Sequence, residues 1–177
     1  MPADDFQSLL DREAIRDVLM RYCRGIDRCD RSLLEGAYWP EAIDDHGNFS
    51  GKRDEFIDWC LPLLRERMDQ TTHFLGNILI RLDGDSAGVE TYFEAYHRIR
   101  RDGAGPYDAV LGGRYIDRME KRGSEWRIAD RIAIYDWARE YPDSADWTSK
   151  DVMGLGLTLQ TNREKDPSYR ILGTRPG

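Results

Sequence analysis

The sequence predicts an α+β fold in which three N-terminal helices lie in the hollow of a strongly curved, mainly antiparallel sheet, the whole forming an open cone. Three observations carry that reading. Apolar residues recur at helical spacing up to Leu64; from Thr71 onward they change to long extended runs divided by tight-turn signals; and glycines stand inside those runs, where a sheet must bend to close over helices.

In the first helix Ile15, Val18, Leu19, Tyr22, Cys23 and Ile26 form one apolar stripe. At about 100° per residue Asp27 falls roughly 40° beyond Cys23, at the edge of the stripe, where an acid looks into the domain without being sealed in its core. Ser32 to Trp39 reads as a short second helix broken at Pro40. Ala42 to Gly51 reads as a tight turn between short extended pieces, centred on His46, Gly47 and Asn48. A third helix carries Phe56, Trp59, Cys60, Leu63 and Leu64 on one side, with Pro62 expected to kink or shorten it.

Four strands follow, at about Thr71–Leu82, Gly88–Arg100, Tyr107–Lys121 and Glu125–Ala138, joined as an antiparallel meander, with Gly76, Gly112 and Gly113 placed to let it curl. Alternation puts His73, Leu75, Asn77 and Leu79 on one face of the first strand, and a histidine and an asparagine beside leucines mark the lining of a partly wet cavity. In the last strand Arg131 shares a face with Ala129, Ala133 and Tyr135, opposite Trp126, Ile128, Ile132 and Ile134, so small neighbours leave the guanidinium room to reach inward. Of the aromatic set on the sheet, Tyr107 and Tyr115 are read as pocket lining and the rest as packing. Residues 1–138 make the cone. Residues 139–177 form an extension that carries Trp147, Met153, Leu155, Leu157 and Leu159 and is expected to cover the pocket or a subunit interface.

Composition narrows the partners. A formal charge of −7 and no basic stripe argue against nucleic acid, the short run Arg98, Arg100 and Arg101 reading as a solvated strand end. No segment approaches the roughly 20 apolar residues of a membrane helix. Cys23, Cys29 and Cys60 cannot all pair and show no CxxC spacing, and MPADDFQSLL lacks the basic start and apolar core of a signal peptide, so a reducing, cytoplasmic setting is expected. Asp44, Asp45 and His46 suggest a metal site on sight, but adjacent residues seldom converge on one ion, and turn chemistry is the preferred reading; no metal or other cofactor is expected.

The remaining constellation is Tyr22 and Asp27, five residues apart in RYCRGID, with His73 in TTHFLGN. An imidazole held by a carboxylate is a general base near neutral pH, and a nearby phenol can donate a proton. On REAIRDVLMRYCRGID, QTTHFLGN and WRIADR, covering about residues 8 to 138, the chain resembles the SnoaL-like branch of the nuclear transport factor 2-like (cystatin-like cone) superfamily. Within it, the chain is similar to the lyases hexachlorocyclohexane dehydrochlorinase, scytalone dehydratase and bile-acid 7α-dehydratase.

The resemblance implies Asp27 and His73 as a catalytic dyad, Arg131 as the dehydrochlorinase-like arginine, Tyr22 as the dehydratase-like tyrosine, and His97 as a loose match to a second histidine. It implies a cofactor-independent elimination on a small hydrophobic cyclic compound, and a homo-oligomer, trimer or dimer. Open beside it stand a ketosteroid-isomerase-like isomerase or cyclase, a module like the β subunits of ring-hydroxylating dioxygenases, and a ligand carrier. Plain roles stand open too: core packing for Tyr22, a helix or turn cap for Asp27, and for Arg131 an ion pair with Asp117 or Asp130.

Overall fold

The computed structural model describes residues 3–103, 105–142 and 166–174. In chain order they form α1 (Ala3–Arg28), α2 (Arg31–Ala37), β1 (Tyr38–Asp45), β2 (Ser50–Lys52), α3 (Arg53–Arg67), β3 (Met68–Asp83), β4 (Ser86–Ile99), β5 (Tyr107–Arg122), β6 (Glu125–Pro142) and α4 (Ser168–Leu172). One six-stranded sheet runs in the order β2-β1-β6-β5-β4-β3, antiparallel throughout except for the parallel β1–β6 pair.

The helical stripe is buried as its spacing requires: Ile15, Val18, Leu19, Tyr22, Cys23 and Ile26 all enter the core with Phe56, Ile57 and Leu64 of α3. Asp30 ends the α1–α2 corner by accepting the backbone N–H of Leu33 at 3.3 Å, the N-cap of the second helix. Two helix expectations change. The second helix stops at Ala37, because Trp39 precedes a proline and is disfavoured from helical backbone. Tyr38 instead opens β1, and Pro40 occupies the irregular stretch between the Tyr38–Ile128 and Ile43–Asp130 pairs, where no ladder N–H is asked of it. The third helix runs on through Pro62 for 15 residues, its buried Cys60, Leu61 and Leu64 packing on both sides of the proline.

The curl of the sheet comes from four places where one strand carries an extra residue. In β3 the register slips at Asp69 and again between Leu75 and Ile78; in β6 it slips at Ala129 and again at Asp136, opposite Gly112 and Gly113. A Cβ on Gly113 would collide with the carbonyl oxygen of Ile134, and one on Gly112 would occupy the place of the Trp137 indole, so this bend requires both glycines.

Each slip also exchanges the faces of the strand beyond it. Asn77 and Leu79 therefore lie outside, and Ile78 and Ile80 face the helices, the reverse of simple alternation. Likewise the Ala129 bulge brings Trp126 and Ile128 to the same inner side as Arg131 and Ala133.

The strand β6 reaches Pro142, four residues past the expected end of the cone. Of the extension, residues 166–174 dock on α1: Arg28 pairs with Asp166 at 2.8 Å, and Arg24 donates to Ser168 Oγ at 3.2 Å and lies 5.2 Å from the centre of the Tyr169 ring. The expected cover by Trp147, Met153, Leu155, Leu157 and Leu159 lies outside the described residues.

Candidate active site

The hollow of the cone holds a chamber of about 460 Å³. Its wall is mostly apolar, and all three histidines of the chain, His46, His73 and His97, line it. They arrive from the β1–β2 turn, from β3 and from β4.

His73 is held by a carboxylate from the last turn of α1. Asp27 Oδ1 lies 2.8 Å from His73 Nδ1, and Asp27 Oδ2 accepts the backbone N–H of the same residue at 3.0 Å. Strand position explains the second bond. β3 is the edge of the sheet, so the N–H groups on its outer side have no neighbouring strand, and α1 supplies the acceptor; Arg12 does the converse for the Ile80 carbonyl at 2.7 Å. With Nδ1–H donated to Asp27, the Nε2 lone pair of His73 is the basic one. The pair is nearly buried, its side chains retaining 8% and 13% of their exposure, and it stands between the chamber and an outer cleft of about 390 Å³ lined by Met20, Cys23, Asp27 and Leu75.

His97 stands edge-on to His73, ring centres 5.6 Å apart. Burial, and then the neighbouring His73, push its imidazole down to about 3, so it is neutral at physiological pH; its Nδ1 has no hydrogen-bond partner among the described residues.

A second aspartate–histidine pair was not anticipated. Asp44 is fully buried at the inward-facing end of β1, and His46 lies two residues further on the same side. Asp44 Oδ1 meets His46 Nδ1, and Asp44 Oδ2 accepts the Tyr38 hydroxyl at 2.6 Å. His46 Nε2 lies 3.3 Å from the Tyr22 hydroxyl. The turn behaves as expected, with Asp45 Oδ1 accepting the Gly47 N–H at 2.9 Å and Gly47 at a φ of +79°. The same turn lays the His46 ring on Phe56, 4.8 Å between centres. Two-residue spacing at a strand end was the signal available for this pair in the sequence.

Tyr22 is buried and lines the chamber. Burial, and then Tyr115 and Tyr38, hold its phenol far above its ordinary range, so it carries its proton and acts as a donor. Tyr115 also lines the chamber, stacked on Phe93 at 4.3 Å.

Other expected site residues stand elsewhere. Arg131 is fully buried behind the wall, donating from Nε and Nη2 to the two oxygens of Asp117 at 2.7 Å each, with its guanidinium 4.1 Å and 4.2 Å from the Tyr22 and Tyr115 ring centres. Burial pulls this guanidinium down, but Asp117 and the phenols outweigh it, so the arginine stays charged. Leu75 lines the outer cleft, not the chamber. Asn77 is turned to the outer face by the Leu75–Ile78 slip, beside Phe74 and Tyr92. Tyr107, at the mouth of β5, is covered by the Arg101 guanidinium 4.0 Å from its ring centre and does not line the chamber. Among the described residues no cluster of three or more His, Cys, Asp or Glu could hold a metal ion, and no helix is long and apolar enough to cross a membrane.

Residues 7–132 match the family model described as the SnoaL-like domain, and the chain belongs to that family. No curated protein matches it. Among solved structures, the chain is similar to hexachlorocyclohexane dehydrochlorinase LinA-type3 from Novosphingobium barchaimii, with 16% identity and a TM-score of 0.72 over 82% of this chain and 99% of that one. It is similar too to a provisionally named scytalone dehydratase from Novosphingobium aromaticivorans, with 21% identity and a TM-score of 0.68 over 78% and 97%. An NTF2-like superfamily protein from Salmonella enterica gives 19% identity and 0.64 over 73% and 92%. At these identities the likeness establishes the fold, the nuclear transport factor 2-like α+β cone.

Proposed function

We propose that this SnoaL-like chain is a cofactor-independent lyase that eliminates a small group from a compact hydrophobic cyclic substrate, with His73 as general base. The supporting observation is the grip of Asp27 on both the ring and the backbone of His73, at the wall of an apolar chamber. Such a grip fixes the tautomer, aims Nε2 and stabilises the imidazolium formed when a proton is taken from carbon. The neutral His97 and the Tyr115 phenol line the same chamber as polar groups for the substrate. The likeness to a dehydrochlorinase and a provisionally named dehydratase agrees with this reaction class.

The test is turnover. Incubation with small alicyclic β-hydroxy and β-halo ketones, read by mass spectrometry for loss of water or hydrogen halide, should show elimination that falls about 10²–10⁴-fold in His73→Ala. An undiminished rate in that variant, correctly folded, would end the proposal.

A homo-oligomer belongs to the same reading. Phe74, Leu79, Tyr92, Ile132 and Trp137 stand exposed on the sheet, a set of large apolar groups suited to a second copy of the chain. A monomer by analytical ultracentrifugation would remove it.

A further inference from the structure

The reading of His73 as base leaves the departing group undefined, and the second aspartate–histidine pair bears on it. His46 and His73 line one chamber but come from strands toward opposite edges of the sheet, with β6, β5 and β4 between them. Tyr22 lies at the His46 end, its hydroxyl 3.3 Å from His46 Nε2, while Asp44 engages His46 Nδ1 and is itself held by Tyr38.

We infer that Tyr22 protonates an oxygen leaving group and that His46, oriented by Asp44, is the positioning residue that restores its proton, so that the substrate class is a β-hydroxy compound and the reaction a dehydration. This rests on the proposed role of His73. Halide departs as a stable anion and has no use for a proton donor. Hydroxide is a poor leaving group and needs one.

Tyr22 alone would be an inadequate donor. Buried and far above its ordinary range, it would be left as a phenolate in an apolar wall. A cationic imidazole within reach of the phenol oxygen removes that obstacle, and a carboxylate behind the imidazole stabilises its charge before transfer.

The steps balance. The substrate C–H proton goes to His73 Nε2 and its electron pair forms the new C=C bond. The C–O bond breaks with its pair on oxygen, which takes the Tyr22 proton and leaves as water. Tyr22 Oη then takes the Nε2 proton of His46, which starts as the imidazolium paired with Asp44. Solvent removes one proton from His73 and returns one to His46.

Two measurements decide. In the full-length protein labelled with ¹⁵N-histidine, three residues give three assignable rings, and Tyr22→Phe should displace the His46 Nε2 resonance while those of His73 and His97 hold. With 3-hydroxycyclohexanone and 3-acetoxycyclohexanone as a probe pair, Tyr22→Phe and His46→Gln should slow loss of water about 10²–10⁴-fold and slow loss of acetate, which needs no proton, far less. An unmoved His46 resonance, or equal slowing of both eliminations, overturns the relay. Retention of both eliminations in His73→Ala would count against the base instead, which keeps the two failures apart.

Discussion

Replacing Arg131 by Met separates a structural arginine from a catalytic one. The wild-type guanidinium and Asp117 are both fully buried and joined by two hydrogen bonds of 2.7 Å. Removing the cation leaves a carboxylate with no exposure and no compensating charge, which costs about 3–5 kcal/mol in comparable pairs. For a chain of this size that corresponds to a fall in Tm of about 6–20 °C. Replacing Asp117 as well, by Leu, should return most of the loss, since a well-packed apolar pair costs no desolvation. The deficit should depend on pH. Burial already raises the Asp117 carboxyl, with Arg131 as the chief opposing group, and in the variant only the weaker influence of His46 opposes it. A carboxyl whose folded pKa lies above its unfolded value holds its proton more tightly when folded, so stability falls as pH rises through the folded pKa. Arg131→Met should therefore be least impaired in mild acid and most impaired at neutral pH. Calorimetry at several pH values, beside turnover of the β-hydroxy ketone, reads both effects. A variant that melts with the wild type but no longer turns over would refute this assignment and make Arg131 a participant in the chemistry.

Three further substitutions test the site and the curl of the sheet. His97, pushed down to about 3 in the folded chain against about 6.5 unfolded, makes the unfolded state the better proton binder, so the protein loses stability as pH falls from about 6.5 toward 3. His97→Gln should flatten that part of the urea-melt profile, and a profile parallel to wild type would contradict the burial argument. Gly113→Ala should cost about 1–3 kcal/mol through collision with the Ile134 carbonyl, whereas Gly88→Ala, where a new Cβ meets nothing within 4 Å, should be nearly silent; equal melting of the two would show that the bulge yields freely.

The cone and the meeting of Asp27 with His73 are legible in the sequence because their signals are local and periodic. The stripe from Ile15 to Ile26 fixes which side of α1 enters the core, and Asp27 follows at its edge. His73 lies in the run from Gln70 to Leu75 that pairs regularly with β4, before the Leu75–Ile78 slip, so plain alternation applies there. Asn77 stands after it, and Trp126 stands before the Ala129 bulge that separates it from Arg131. A single inserted residue inverts everything beyond it, and the choice of where to insert is made by packing between strands distant in sequence. Tyr38 and Trp39 were lost to the helix for a related reason: their pairing partner, β6, lies about ninety positions further along the chain. With β1 missing, Asp44 and His46 could be seen only as neighbours in a turn, not as two residues of one inward face.

Asp27 shows how holding the sheet edge and aiming the His73 imidazole depend on one carboxylate, and the consequence can be tested. Its two oxygens accept from the two N–H groups of His73, one from the edge of the strand and one from the ring. An asparagine has one acceptor and one donor in their place. The backbone N–H can only donate, so the amide oxygen must serve it if the strand edge is to stay satisfied. The amide NH₂ then faces His73 Nδ1, where two donors cannot coexist. The ring responds by exchanging tautomers, with the lone pair on Nδ1 and the proton on Nε2, and the atom that should remove a proton from the substrate already carries one. Asp27→Asn should thus keep its melting temperature close to wild type while elimination falls by about 10²–10⁴-fold, the contribution of a positioned base. Its His73 ¹⁵N spectrum should show the two ring nitrogens with their roles exchanged. Loss of activity with the original tautomer intact would mean that Asp27 acts on the imidazolium charge alone, and the orientation argument would fall.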